Sequence, residues 1–203
     1  HEAQLNMELL KPFAEVAVPS LEDMGKEYIF PKQSIQVQSE EHKTLLSTGK
    51  INVVLHPKSK GSAVEWGLEN FSALLRLLPA ERCNVFITGT AAEGEMLIGK
   101  LPFELPHVHN MTGRMSLDEL IQFIGGADTL VAASTGPLHI AAACGIQAIG
   151  LYADRRPIHP GRWAPIGPKA MAITYDGPIA KGEEDASILK IEPAKIAQLI
   201  LKG

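Results

Sequence analysis

The sharpest chemical feature of the sequence is Ala132-Ala133-Ser134-Thr135-Gly136-Pro137-Leu138-His139, followed by Ile140 and by Ala141, Ala142 and Ala143. It reads as a strand ending at Ala133, a tight Ser-Thr-Gly-Pro turn and a helix. A helix N-terminus exposes unpaired backbone N–H groups and the positive end of the macrodipole. Phosphate groups bind at such ends. Gly136 would let a phosphate approach the backbone closely, and Ser134 and Thr135 would add hydroxyl donors. His139, one turn into the helix, is expected to point back toward the same spot and is the candidate support for chemistry. The same residues also fit a plain helix cap, with Pro137 in the first turn and His139 structural.

The elements that must hold this turn alternate along the chain. Apolar, β-branched runs at residues 51–55, 84–88, 107–111, 129–133, 146–151 and 171–174 predict strands. Between them, Leu68, Phe71, Leu74, Leu75 and Leu78 recur at helical spacing, and Pro79 stops that helix. A helix over 91–101 would place Leu97, Ile98 and Leu101 on one face. Ser116 with Glu119 forms a capping box for a helix carrying Leu117, Leu120, Ile121 and Ile124. A short helix over 138–144 and a final one opened by Pro193 complete the pattern. Most strands are apolar throughout, which marks a parallel sheet covered on both faces. The predicted fold is α/β, a doubly wound, mostly parallel Rossmann-like sheet. Ligands in such folds sit beyond the carboxyl ends of the strands, here the loops 56–66, 89–95, 112–116 and 134–139. Residues 1–48 lack the alternation and predict an arm or linker with one or two short elements, Leu5, Leu9 and Leu10 hinting at a helix that Pro12 ends or kinks. Residues 49–203 form the domain.

Bulk properties narrow the function classes. The chain has 203 residues, 45% hydrophobic and 21% charged, which suits one packed domain. With 19 basic and 23 acidic residues the formal net charge is −4, against nucleic acid as the main partner. No apolar run approaches the roughly 20 residues that span a bilayer. Cys83 and Cys144 match no metal-ligand spacing and read as reduced, buried thiols of a cytoplasmic protein. There is no Asp-x-Asp and no His/Cys constellation, so neither a metal nor another cofactor is expected. The first residue is His1, and no signal-like segment follows, so the chain reads as a fragment or a processed product.

The segment Ser134-Thr135-Gly136-Pro137-Leu138-His139 resembles the Asp-Ser/Thr-Gly-Pro-x-His signature of glycosyltransferase family nine, the ADP-heptose:lipopolysaccharide heptosyltransferases. The similarity runs from about His1 to about Pro168. It takes in the His1 to Asn6 opening, the loop ending in Trp66, the Gly89 turn with acidic residues after it, and Gly113-x-x-Ser116-Leu117. The resemblance implies one half of a GT-B fold: the C-terminal, donor-binding domain of an inverting, metal-independent enzyme of bacterial lipopolysaccharide or surface-glycan synthesis. The N-terminal domain, with the acceptor site and the catalytic base, would be absent, so this chain alone is expected to be inactive. The implied partners are a nucleotide sugar, ADP-linked by resemblance, and a glycan or lipid-linked acceptor. The implied location is the cytoplasm, with the parent enzyme at the inner face of the membrane.

By the same resemblance, Thr135, Gly136, Pro137 and His139 bracket the donor pyrophosphate, and Ser134 stands where many relatives have Asp. Relatives hold the diphosphate with hydroxyls and a Lys one or two places before the Trp. Here those places are Val64 and Glu65, so Lys58 or Lys60 would supply the charge, with Ser59 and Ser62 as donors. A cation beside a departing diphosphate stabilises charge that builds in the transition state. Glu93, with Glu95 behind it, would accept hydrogen bonds from the ribose, although a first-turn glutamate also simply suits the helix dipole. Met115 would pack on the base. The loop 152–169, with Asp154, Arg155, Arg156, His159 and Arg162, and the acidic run 183–185 read as structural or solvated. Two rival functions remain: a non-catalytic nucleotide-sugar-binding module, and a GT-B-like nucleotide-sugar epimerase. A dinucleotide dehydrogenase is disfavoured, because no Gly-x-Gly-x-x-Gly follows the first strand.

Overall fold

Side chains along a strand alternate between faces, so a strand that is apolar throughout needs cover on both sides. The computed structural model, which describes residues 1–46 and 49–202 apart from the side chains of residues 33 and 34, has this arrangement. The chain begins with α1 (Glu2–Glu8), α2 (Leu21–Glu27), a 3₁₀ turn (Lys32–Ile35) and α3 (Glu40–Leu46). The alternating part follows as β1 (Ile51–His56), α4 (Leu68–Leu77), β2 (Cys83–Ile87), α5 (Ala91–Leu97), β3 (Val108–Asn110) and α6 (Leu117–Gly125). It continues with β4 (Thr129–Ala133), α7 (Gly136–Ala143), β5 (Gln147–Leu151), α8 (Pro160–Trp163), β6 (Ala170–Ile173), a 3₁₀ turn (Asp185–Lys190) and α9 (Pro193–Lys202).

The strands form one sheet in the order β3-β2-β1-β4-β5-β6. Every neighbouring pair is parallel, with Val53 opposite Val85 on one side of β1 and opposite Thr129 on the other. This is the doubly wound α/β sheet. Val53 and Leu55 face a core shared with Phe71, Leu74 and Leu75 of α4, Leu97 of α5 and Ile196 and Ile200 of α9. Val54 faces the opposite core, with Phe123 and Ile124 of α6 and Leu138, Ala141 and Ala142 of α7. The strand order reverses between β1 and β4, which opens a crevice beyond their carboxyl ends.

Three features differ from the sequence expectations. The helix expected over 91–101 ends at Leu97. Ile98 leaves the helix at ψ 131 and is 68% exposed, while Leu97 and Leu101 are buried. Gly99, at φ +73, turns the chain there. Helix α7 starts at Gly136, two residues earlier than expected. The expected arm 1–48 carries three α-helices and a 3₁₀ turn, and Leu5, Leu9 and Leu10 are exposed rather than packed. The arm lies against the α6–α7 side: Phe30 N donates to Ala143 O, and His42 packs edge-on against Phe123 at 5.2 Å. The expected boundary between arm and domain, at 48–49, meets Ser47 and Thr48, which lie outside the described residues.

Candidate functional site

The ends of β1, β2, β3 and β4 and the loops that follow them enclose a cleft of about 630 Å³. It is lined by Lys58, Ser59, Lys60 and Ser62 from the first loop, and by Glu93 and Met115 from the second and third. Thr135, Gly136 and Pro137 of the fourth complete that set. Two loops can approach closely because Gly113 has no side chain: it sits at φ +70, where a Cβ would come within 2.8 Å of Ala91 Cβ.

The β4–α7 turn presents the start of α7 to this cleft. Thr135 is the N-cap residue, yet its hydroxyl makes no capping bond. Its Oγ1 is buried and has no partner among the described residues. A buried hydroxyl without a hydrogen bond costs about 1–3 kcal/mol. Gly136 is exposed, and a Cβ built there meets nothing within 4 Å. Local packing does not require the glycine; the open space is in the cleft.

The first loop is organised by Glu65. Its Oε2 accepts from Lys58 Nζ at 2.5 Å, and its Oε1 accepts from Ser59 N at 3.0 Å. Ser59 Oγ donates to Ala63 O, and Ser62 Oγ donates to Ser59 O. Lys58 is therefore paired. Lys60 is exposed, has no ion pair among the described residues and holds a left-handed backbone at φ 49. Trp66 is fully buried, and its Nε1 donates to Ile191 O.

Across the cleft, Glu93 closes a capping box: Oε2 accepts from Thr90 N at 2.7 Å and from Thr90 Oγ1 at 2.9 Å. Burial pushes the Glu93 carboxyl up, but the two Thr90 bonds and the charges of His56 and Lys60 outweigh it and hold the group below its ordinary value. Glu95 is exposed and outside the cleft lining. Met115 is half-buried on the wall, near Met111, Leu117 and Leu120.

Two more expected residues are not brought into the lining. Ser134 turns to the Tyr152 side chain, whose phenol burial pushes up to about 12 against the pull of that hydrogen bond. His139 lines a neighbouring cavity of about 580 Å³ with His1, Met24, Tyr28 and Trp163. Leu138 faces the sheet, and the next residue on a helix is turned about 100° from it, here toward the arm. Burial lowers the His139 imidazole below its ordinary value. The residues around 152–169 pair away from the cleft: Arg162 with Glu2, Arg155 with Asp185, and Asp154 with His159. Sequence reasoning missed His56, Thr88 and Thr90, which also line the cleft. Their signal was positional, since His56 ends β1 and Thr88 directly follows β2. Among the described residues no three His, Cys, Asp or Glu side chains converge as a metal site, and no helix is long and apolar enough to cross a membrane.

The chain is similar to known proteins in sequence and fold. The sequence model of glycosyltransferase family 9 (heptosyltransferase) matches residues 3–190. A Haemophilus influenzae protein provisionally named a glycosyltransferase is 31% identical over 190 residues, covering 89% of this chain and 54% of that protein. The lipopolysaccharide core heptosyltransferase OpsX of the same bacterium is 26% identical over 152 residues, covering 72% and 42%. The chain thus spans about half the length of the curated relatives it matches. Among solved structures, E. coli ADP-heptose lps heptosyltransferase II has a TM-score of 0.62 at 24% identity, covering 82% of this chain and 54% of that one. A family 9 glycosyltransferase of Veillonella parvula gives 0.63 at 19%, covering 86% and 53%. E. coli heptosyltransferase WaaC with ADP gives 0.59 at 21%, covering 79% and 48%. The likeness to these structures is one of fold.

Proposed function

The chain belongs to glycosyltransferase family 9, and from that premise we propose that it is the donor-binding part of an inverting, metal-independent glycosyltransferase of bacterial lipopolysaccharide or surface-glycan synthesis. Its ligand is a nucleoside-diphosphate sugar, with ADP the first nucleotide to test, because similar solved proteins carry ADP in their names. What supports this reading is the buried, unpartnered Thr135 hydroxyl beside the start of α7, in the same cleft as Lys60 and Glu93. The Gly136 N–H at the α7 start, a hydroxyl and a cation suit a diphosphate, although Pro137 has no N–H and the Leu138 N–H is taken by Thr135 O. A carboxylate across the cleft suits a ribose hydroxyl.

In the reaction proposed for the whole protein, an acceptor hydroxyl attacks the anomeric carbon. Its proton goes to a base outside this chain. The bond from that carbon to the diphosphate oxygen breaks, and the diphosphate leaves with the electron pair. The α7 N-terminus, Thr135 and Lys60 stabilise the growing charge. Without the base, this chain turns over no sugar. The work is cytoplasmic, at the inner face of the membrane, on a glycan or lipid-linked acceptor.

The test is a thermal-shift panel with ADP, UDP, GDP, CMP and their sugar conjugates. A ligand at about 100 times its dissociation constant adds about 2.7 kcal/mol, or roughly 5–10 °C for a domain of this size. A shift with one nucleotide and its sugar conjugate is expected. No shift with any of them overturns the donor reading.

A further inference from the structure

The β1–β2 end of the cleft carries a residue with no assigned task. His56 ends β1, lines the cleft and is half-buried. Its Nδ1 lies 3.0 Å from Thr88 Oγ1. Thr88 Oγ1 also lies 3.4 Å from Leu55 O, an oxygen that can only accept. The hydroxyl has one proton. If Thr88 donates to Leu55 O, its oxygen is left to accept from Nδ1–H, and both contacts are satisfied. The opposite arrangement forms only the Nδ1 contact, with Leu55 O left to the Thr88 N–H that it already accepts at 2.9 Å. The count therefore favours the Nδ1–H tautomer, with a lone pair on Nε2. Among the described residues Nε2 has no hydrogen-bond partner, and it is not one of the fully buried unpartnered atoms, so it keeps some exposure. Burial lowers the ring's proton affinity, with Glu93 opposing.

The cleft therefore carries both kinds of group. The α7 start at Thr135 and Gly136 offers donors, and Lys60 adds a cation close enough to act on the Glu93 carboxyl. Around His56 and Glu93 it offers acceptors. An acceptor lone pair repels a phosphate oxygen and attracts a hydroxyl. We propose that His56 is a second hydroxyl-reading residue, which presents Nε2 as an acceptor near the Glu93 carboxylate so that neighbouring hydroxyls of a ribose are bound at this end of the cleft. Thr88 is its positioning residue, fixing the tautomer. This rests on the donor-binding reading and adds to it the residue that distinguishes a ribonucleotide from a deoxyribonucleotide.

The experiment is calorimetric titration of the chain with ADP, 2′-deoxy-ADP and 3′-deoxy-ADP, repeated for His56→Phe, His56→Gln and Thr88→Val. The wild type should prefer ADP to at least one deoxy form by about tenfold, the worth of one hydrogen bond. His56→Phe should weaken ADP by about as much and leave that deoxy form unchanged, erasing the preference. Thr88→Val should reduce the preference without erasing it. A His56→Phe variant that weakens all three ligands equally, or a wild type with no preference, overturns the role of His56 while leaving the donor reading intact. No binding of any of the three by wild type, with none in the nucleotide panel above, overturns both. If His56→Phe fails to fold, His56→Gln and Thr88→Val decide on the same ratio.

Discussion

Lys58 and Glu65 are locked together in the first loop, and the same carboxylate also takes the Ser59 N–H. The sequence offers Lys58 and Lys60 as equal candidates for the diphosphate cation; the pairing separates them. Replacing Lys60 with Met should weaken nucleoside-diphosphate binding by about tenfold, a charge-assisted bond's minimum worth, at an unchanged melting temperature. Replacing Glu65 with Gln should instead lower the melting temperature, because it removes the acceptor around which the loop is built. Titration and melting of both variants check this. A Lys60→Met chain that binds ADP as wild type does would move the cation role to Lys58.

The unpartnered hydroxyl of Thr135 predicts a trade between stability and binding. Thr135→Val keeps the shape and removes the unpaired polar atom. It should leave the chain as stable as wild type or up to about 1 kcal/mol more stable. Diphosphate affinity should fall about tenfold, and Thr135→Ser should keep most of it. Urea unfolding and titration measure the two quantities. A Thr135→Val chain that is less stable and binds normally would show that the hydroxyl serves the fold.

Gly136 makes the cleft's steric prediction. Its backbone is not left-handed, and a Cβ there has open space. Gly136→Ala should be neutral or stabilising by up to ~1 kcal/mol at this helix start. Gly136→Leu should fold equally well yet reduce ADP affinity by more than tenfold, since its side chain would occupy the anion position. Equal affinity in the Leu variant would remove the α7 N-terminus as a phosphate site.

The sheet was legible because its strands announce their burial. β2 and β4 are buried at every position, and a short, mostly apolar run between turn signals, broken only by Asn84 in one and opened by Thr129 in the other, reads as a buried strand. Ile98 was not legible in the same way. An apolar residue beside Leu97 fits a longer helix, and only the backbone turn at Gly99 sends it outward. Ser134 and His139 fail for a related reason. The motif fixes where a helix begins, but Tyr152 and the arm decide what those side chains meet. Glu65 is the converse case. Nothing local marks it as the partner of Lys58, because the loop's own fold brings them together. His56 and Thr88 needed the alignment of strand ends, which a single sequence implies without displaying.

The last prediction concerns pH. Burial holds His56, His109 and His139 below the ordinary imidazole value of 6.5. Below about pH 6.5 the unfolded chain takes up protons that the folded chain refuses. Unfolding is then favoured, so the stability these neutral rings confer is complete above 6.5 and is lost as pH falls through their folded values. Glu93 adds a second, lower window. Its carboxyl is held below 4.5, so its contribution persists down to about that pH and disappears beneath it. Urea midpoints measured without ligand at pH 7.5, 6.5, 5.5, 4.5 and 3.5 should therefore fall between the first and third points and again between the last two. The double variant His56→Gln, His139→Gln should show a shallower fall over that interval, and Glu93→Gln should flatten only the acid end. An unchanged slope in the double variant would mean that neither ring is buried in the neutral form, and would also remove the tautomer on which the hydroxyl-reading role of His56 depends.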